Sequence, residues 1–556
     1  MRRKLWAADC ETDPFKIQRV PAPFIWGAFD GKEFLTWRKT KEFVNWLKKQ
    51  RAIVYAHNGG KFDWFFLLPY VDKTRVRIIS GRIAELTIGK AKLRDSYSII
   101  PVPLAAIQKG KIDYKYMEAD IREEHMDDKI IPYLQEDCEV LYKSVKAYRE
   151  VAGKSITIAS NALASSRKLG ADPGRTNHRF DTQFRKFYFG GRTECFQPGE
   201  HRNGKIIDIV SSYPKAMIND HPTGTKRYNQ DNLNSLTTEQ IQRSFIKLTC
   251  TSKGALPKRK DDGGLSFPHG RFDFDATGWE YLVALKHDLI SDIEFHQVTT
   301  FENSINFEAY INHWFTHKKN HPKSEDPINY TIGKTQMTSL YGKLAQNPCT
   351  YYDYEMLDPG TPVNDVEGWQ RYSRVGDVEI HRRSVEWTFK NKYGVDWEKQ
   401  PLYFNVATGA SVTGYARAAL LDALHTVGPE NVIYCDTDSL ALHPCDLSGL
   451  SLGKELGQWE VEGEFDVGYF AGKKLYAMRL VKDGKPVLNE KGEQAYKIAS
   501  KGSKLDYEKM KAVTEGDTIL WENEAPTFSV AKGIHFVKRN IRMTAGDDYT
   551  ERIIDG

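Results

Sequence analysis

An aspartate stands inside the apolar run Ile206-Ile207-Asp208-Ile209-Val210, and this constrains the fold more than any other feature of the chain. The run reads as a buried strand. An unpaired carboxylate there is costly, so something must neutralise it, either a buried Arg or Lys or a bound cation. A second strand-like run, Asn431-Val432-Ile433-Tyr434-Cys435, ends in Asp436-Thr437-Asp438-Ser439. Asp436 and Asp438 are two apart, so both can point to one side of an extended segment. Alone, Asp-x-Asp is more often a solvated turn whose carboxylates accept backbone hydrogen bonds. Beside Asp208 it offers another reading: carboxylates from separate strands holding two Mg²⁺ ions about 4 Å apart, an arrangement that serves phosphoryl transfer.

The first 150 residues carry a separate acidic set. Asp9 and Glu11 follow the apolar run KLWAA and lie on the same side of an extended segment. Asp63 follows AIVYA and the polar turn His57-Asn58-Gly59-Gly60. Asp137 and Tyr133 share the apolar face of a helix expected over 130–148, with Ile130, Leu134, Leu141 and Val145. Each carboxylate alone is more often a surface or salt-bridged group. Together, converging on one α/β sheet, they suit hard, oxygen-preferring cations, and Tyr133 is placed to orient an attacking water. The seven cysteines are scattered singly with no Cys-x-x-Cys pair, which argues against zinc and against a disulfide framework.

At 556 residues the chain has room for about three to four domains. Hydrophobic residues make up 40% and the mean hydropathy is −0.55, an ordinary globular composition. Apolar runs such as Phe65-Phe66-Leu67-Leu68 fall far short of the roughly 20 residues that span a bilayer, and the start MRRKLWAADCE lacks a signal-peptide core. No membrane partner is expected, and the expected location is the cytoplasm. A net charge of +5 is too small to name a partner.

Residues 1 to about 150 alternate short strands and helices. The IIDIV strand runs into SSYPKAM, a turn opening a helix, and residues 220 to 330 then read as an inserted module containing the loop-rich GALPKRKDDGGLSFPHGRFD. A helix carrying KTQMTSLYGKLAQNP follows, then a second insertion over 351–400, rich in Tyr and Trp. The long helical run ASVTGYARAALLDALHTV leads to the NVIYC strand.

In this order the motifs resemble those of the protein-primed replicative DNA polymerases of family B. DCETD, HNGGKFD and YLQED are similar to the three 3′-5′ exonuclease motifs; DIVSSYP, KTQMTSLYG and YCDTDS to polymerisation motifs A, B and C; YFGGR to the Y-x-G-G segment; and KLY to K-x-Y. ETDPFK, AHNGGKFD, GRI, DSYSIIPVPL and FYFGGR point to the tectivirus-type phage enzymes, with the small-podovirus enzymes more distant. The resemblance implies an α/β and α+β multidomain chain. It would comprise an RNase H-like 3′-5′ exonuclease domain (1–150), a linker (151–202), palm (203–219 and 401–480), fingers (328–350), and a thumb and C-terminal region (481–556), with terminal-protein-region insertions at 220–327 and 351–400. In the family the first insertion docks the priming protein and the second helps wrap the DNA.

Residue roles come with the same resemblance. Asp208, Asp438 and the Ile209 carbonyl would hold the polymerase metals, with Asp436 close by. Lys334, read as lying at the start of a helix that also displays Tyr341, would contact the dNTP phosphates. Tyr213 would lie under the sugar and exclude a 2′-hydroxyl, with Ser211 and Tyr341 also at the nucleotide. Lys474 and Tyr476 would hold the primer terminus, and Tyr188, Gly190 and Gly191 would contact DNA. In the exonuclease, Asp9, Glu11, Asp63 and Asp137 match the metal carboxylates, Tyr133 the water-orienting tyrosine and Lys109 a catalytic lysine; His57, Asn58, Phe62 and Ser96 match residues that grip a single-stranded end. Thr338, Val210, Ser212 and Tyr97 depart from frequent family residues, and none removes a metal ligand.

The function implied is a DNA-directed DNA polymerase that starts replication of a linear genome on a terminal protein, extends with strand displacement and proofreads. Its expected cofactor is Mg²⁺, two per active site, with Mn²⁺ able to substitute. Its expected partners are template and primer DNA, dNTPs and the terminal protein, and it is expected to be a monomer in the host cytoplasm of a bacteriophage. The alternatives are a related polymerase that primes itself or only extends nucleic-acid primers, and a non-catalytic DNA-binding replication scaffold. The near-neutral total conceals a local surplus: residues 471–504 hold nine basic residues against three acidic ones, around KLY.

Overall fold

The computed structural model describes residues 3–14, 19–71, 75–107, 112–402, 404–546 and 551–555. Two large sheets organise it. The first has parallel strands Lys4–Thr12, Ala52–Ala56 and Ala91–Asp95 at its centre, the buried apolar pattern expected of parallel strands. The helix Ile131–Val151 packs on Lys4–Thr12 and buries Tyr133, Leu134, Asp137, Leu141 and Val145 on one face, so the helical spacing was readable. Strand ends and this helix face therefore deliver carboxylates to one place.

That sheet does not stop at the first 150 residues. Strands Tyr352–Leu357, Val378–Ser384 and Gln370–Val375 extend it to ten strands, with Tyr354 paired to Val76. The Tyr- and Trp-rich insertion thus gives its strands to the N-terminal sheet. Its Met356, Val375, Val378 and Ile380 share one core with Trp26, Trp64 and Leu68.

The second sheet carries Asp208. Its central strand, Gly199–Ile209, lies between Trp459–Gly472 and Ser439–Leu442, and the latter forms a hairpin with Val432–Asp436. Behind it runs the helix Val406–Thr426, buried on nearly every side, which explains its Ala, Gly, Ser and Thr content. At Gly414 a Cβ would lie 2.3 Å from Thr277 Oγ1, so only glycine fits. The 221–305 segment forms a separate four-stranded sheet, ordered His221–Gln230, Ile290–Ile305, Ser244–Lys253 and His269–Thr277. The helices Glu308–Asn320 and Pro327–Leu344 pack on each other. At the far end, hairpin Ile519–Ser529 with Gly533–Met543 inserts Phe528 into the core beneath the ten-stranded sheet. Among the described residues no helix is long and apolar enough to cross a membrane.

Candidate active sites

The N-terminal carboxylates converge. Ligand atoms of Asp9, Glu11 and Asp137 lie within 4.8 Å of one another, because Asp9 and Glu11 project from alternate positions of one strand toward the inward helix face. Asp63 opens the short helical turn Asp63–Tyr70 and is 1% exposed. Burial pushes its carboxyl up, with the charge of Asp95 adding to the shift, while the Cys10 thiol hydrogen-bonds to it. Its Oδ1 is buried without a hydrogen-bond partner among the described residues. An all-oxygen set with an unmatched buried acceptor fits a hard divalent cation. Burial, and then the Asp137 charge, raise Tyr133, which keeps its phenolic proton.

Beside this set, His57 Nδ1 lies 3.0 Å from Ser96 Oγ. Asn58 adopts left-handed backbone (φ 60°), and its Oδ1 accepts from Arg82 Nη1 at 2.7 Å, a nitrogen that also donates to the fully buried Asp95 at 2.6 Å. The GRI motif thus supplies the guanidinium that fixes Asn58. Phe62 packs edge-on against Phe66 and Phe528, 5.2 and 5.0 Å between centroids. Lys109 lies outside the described residues.

In the second sheet, Asp208 pairs in register with Ser439 on one side and Glu460 on the other, and the Ile209 N–H donates to the Asp438 carbonyl at 2.9 Å. Burial, then the Asp438 charge, push Asp208 up to about 7; burial, then Asp436, push Asp438 up to about 6. Both carboxyls are therefore destabilised as anions without a cation. The two members of Asp-x-Asp differ in their partners. Asp436 is held by Lys474 Nζ at 3.0 Å, Thr193 Oγ1 at 2.9 Å and Thr437 Oγ1 at 3.1 Å. Ser211, Thr437 and Lys474, all beside these groups, have positive φ of 58°, 62° and 52°, strain that the surrounding structure must hold in place.

Lys334 is exposed and stands eight residues into the helix Pro327–Leu344, which corrects the expectation that it opens the helix. Asp326 is the N-cap, its side chain accepting from Asn329 N, so an Asp-Pro cap further upstream sets the start. Tyr213 and Tyr341 stack face to face, 4.4 Å apart at 13°. Tyr476 lies edge-on to Tyr434, 4.9 Å away, and the Tyr434 hydroxyl accepts from the Lys474 N–H at 3.1 Å. A Cβ on Gly191 would meet Thr437 Oγ1 at 2.6 Å, so glycine lets the YFGGR segment lie against the acidic hairpin. The Phe189 and Gly190 carbonyls accept from Arg417 Nη1 at 2.7 and 3.0 Å, while Arg417 Nε donates to Glu280 at 2.7 Å. The Tyr188 carbonyl accepts from Arg259 Nη2 at 3.0 Å.

Three residues escaped sequence reading. Lys318 reaches to 3.4 Å of Ser211 Oγ and raises the positive potential at Lys334. Glu462 adds to the negative field at both Asp208 and Asp438; its signal, the alternating WEVEGE, was visible. Arg417 gave no signal, being one polar residue in an Ala-rich helix.

One carboxylate cluster lies at the parallel centre of a mixed sheet and another on an antiparallel sheet, an arrangement in keeping with two separate cation-dependent centres on one chain. The family of type B DNA polymerases, organellar and viral, matches residues 107–361. The DNA-directed DNA polymerase of Enterobacteria phage PRD1 is 34% identical over 97% of this chain and 98% of that one, and the DNA polymerase of Bacillus phage phi29 is 24% identical over 86% of each. The chain belongs to the phage-type family B DNA polymerases and is a DNA-directed DNA polymerase, in a family that carries 3′-5′ exonuclease activity. The fold expectation holds as well. Phi29 DNA polymerase complexed with primer-template DNA and incoming nucleotide substrates matches with a TM-score of 0.73 at 18% identity, over 98% of this chain and 100% of that one. Family B polymerases depend on divalent cations.

Proposed function

We propose that this polymerase starts a linear genome on the hydroxyl of a terminal protein, extends with strand displacement and proofreads in its N-terminal centre. The observation that carries the reading is Arg417. This one buried guanidinium ties the YFGG backbone of the polymerising centre to Glu280 of the 221–305 insertion, so a protein docked on the insertion bears directly on that centre.

Bound Mg²⁺ would supply Lewis-acid polarisation of the phosphoryl oxygens and a more acidic attacking hydroxyl or water. Asp208 and Asp438 would hold it for synthesis; Asp9, Glu11, Asp137 and Asp63 would do so for excision. Lys334 and Lys318 set cations where the triphosphate charge develops. Tyr213, backed by Tyr341, closes the space beneath the sugar, and Lys474 and Tyr476 hold the primer terminus. In excision Tyr133, protonated at neutral pH, orients the attacking water, while Asn58, His57, Ser96 and Phe62 hold the frayed strand. The reaction runs in the host cytoplasm.

The test supplies template, dNTPs and Mg²⁺ with and without a cognate terminal protein. A covalent nucleotide–protein adduct is the expected product. Equal synthesis from bare template without that protein, and no adduct, would sink protein priming in favour of self-priming.

A further inference from the structure

A cavity of about 340 Å³ opens between the His178–Arg185 helix and the four-stranded sheet of the insertion. It shares no residue with either carboxylate centre. Lys186, Arg227 and Lys247 line it, with the amides of Gln183, Asn229 and Gln297; the rest of the wall is Thr and Phe, and no Asp or Glu belongs to it.

The cations are built in place. The Arg227 guanidinium lies 4.5 Å over the Phe180 ring and 5.8 Å over Phe184, and donates to Gln183 Oε1 at 2.8 Å and the Thr225 carbonyl at 3.2 Å. Burial alone pushes it down, with no carboxylate to offset the cost. The Lys247 ammonium is within hydrogen-bonding reach of the Lys186 ammonium, and that contact is the largest cause lowering it. Asp275, the cross-strand neighbour of Lys247, reaches Lys186 at 3.2 Å. The two crowded ammoniums thus share Asp275 while the guanidinium has no carboxylate acting on it, and an anion between them would relieve repulsion already present.

The chemistry of that anion follows from the wall and its surroundings. The volume exceeds a bare phosphate and lies in the range of small-ligand sites. Gln183 is engaged by Arg227 and the Arg179 carbonyl, and Thr299 Oγ1 meets Asn229 Oδ1 and Gln297 Nε2; Asn229 Nδ2 and Gln297 Oε1 are left to offer a donor and an acceptor, as base edges do. Farther along the same sheet face stand Asp273, Asp292 and Glu294, held by Thr249, Thr251 and Arg271. The positive surface therefore ends there, so a strand with one nucleotide in the cavity would leave it in another direction.

We propose that this cavity binds a single nucleoside phosphate, its phosphate between Lys186, Lys247 and Arg227 and its base against the Asn229 and Gln297 amides. The site goes beyond the polymerising and excising centres. Its occupant is a free mononucleotide or one nucleotide of a single strand, and the experiment separates the two.

The full-length protein is titrated with dAMP, and separately with a short oligodeoxyadenylate, in EDTA so that the carboxylate centres hold no cation. Calorimetry reads affinity, and mass spectrometry reads protection of Lys186 and Lys247 from acylation, with Lys511 as the reference. Binding of dAMP that protects both lysines and weakens about tenfold in Lys247→Gln and in Arg227→Gln supports a free nucleotide. The same losses with the oligonucleotide alone support a strand. Should Arg227→Gln fail to fold, the partly exposed Lys247→Gln carries the test. Binding that both substitutions leave unchanged, or no binding of either probe, overturns the proposal.

Discussion

Asp436 and Asp438 are two residues apart, yet the hairpin sends them to different neighbours, one to Lys474 and one to the field of Asp208. The charge of Asp436 still reaches Asp438 across the left-handed Thr437 between them. Asp438 is therefore the residue whose loss should separate the two activities. In the proposed role, Asp438→Asn takes away a charged metal-holding oxygen worth several kcal/mol of transition-state stabilisation, so primer extension should fall by about three orders of magnitude while single strands are still degraded. The converse pair, Asp9→Ala with Asp63→Ala, should abolish degradation and spare extension. Parallel loss of both activities in either variant would show one shared centre or a misfolded chain. Lys318 belongs to the same scale. Removing its charge near Lys334 in Lys318→Ala should raise KM for dNTP about tenfold, a loss of about 1.4 kcal/mol, with exonuclease rates on single strands unchanged.

At the scale of elements, the sequence showed what short range determines. The strands carrying Asp9, Glu11 and Asp436, and the helix face shared by Tyr133 and Asp137, were legible because apolar periodicity and carboxylate position coincide in one segment. Illegible were pairings between distant segments: Tyr354 with Val76, or Arg417 with Glu280, have no local pattern, since the partner alone gives them meaning. Arg417→Met tests the second. It strands Glu280 as a buried charge, so stability should fall by about 3 to 5 kcal/mol, and the double variant with Glu280→Gln should recover much of it in thermal unfolding. His221 gives the pH counterpart. Its Nε2 donates to the Ala216 carbonyl at 2.8 Å and its Nδ1 accepts from Ser411 Oγ at 2.9 Å, pinning the end of the Ser212–Met217 helix to Val406–Thr426. Burial lowers it to about 4, despite the nearby Asp220 charge. Because the unfolded chain takes up this proton first, its stabilisation is full above about pH 6.5 and is lost as pH falls toward 4, approaching about 3 kcal/mol. Unfolding measured from pH 7.5 to 4.5 should show a steeper acid loss than His221→Gln does; parallel curves would assign the loss to other groups.

Over the whole molecule, the second insertion and the C-terminal hairpin meet under the N-terminal sheet. Phe528 packs on Phe62, Phe65 and Phe66, and the neighbouring Val530 carbonyl accepts from Ser373 Oγ at 2.5 Å. Chain segments more than 450 residues apart in sequence thus close on each other, and the Phe62 segment shares that joint. A joint of this kind should govern how long the enzyme stays on DNA more than how fast it adds a nucleotide, because none of its residues lies beside Asp208 or Asp438. Phe528→Ala removes a large buried ring, a change that typically costs about 3 to 5 kcal/mol, and that cost falls on closure of the hairpin against the sheet. With excess trap DNA, the variant should make products several-fold shorter per binding event, while single-nucleotide insertion stays near the wild-type rate. Unchanged product lengths would mean the hairpin's hold on the sheet is not what keeps the enzyme on its template.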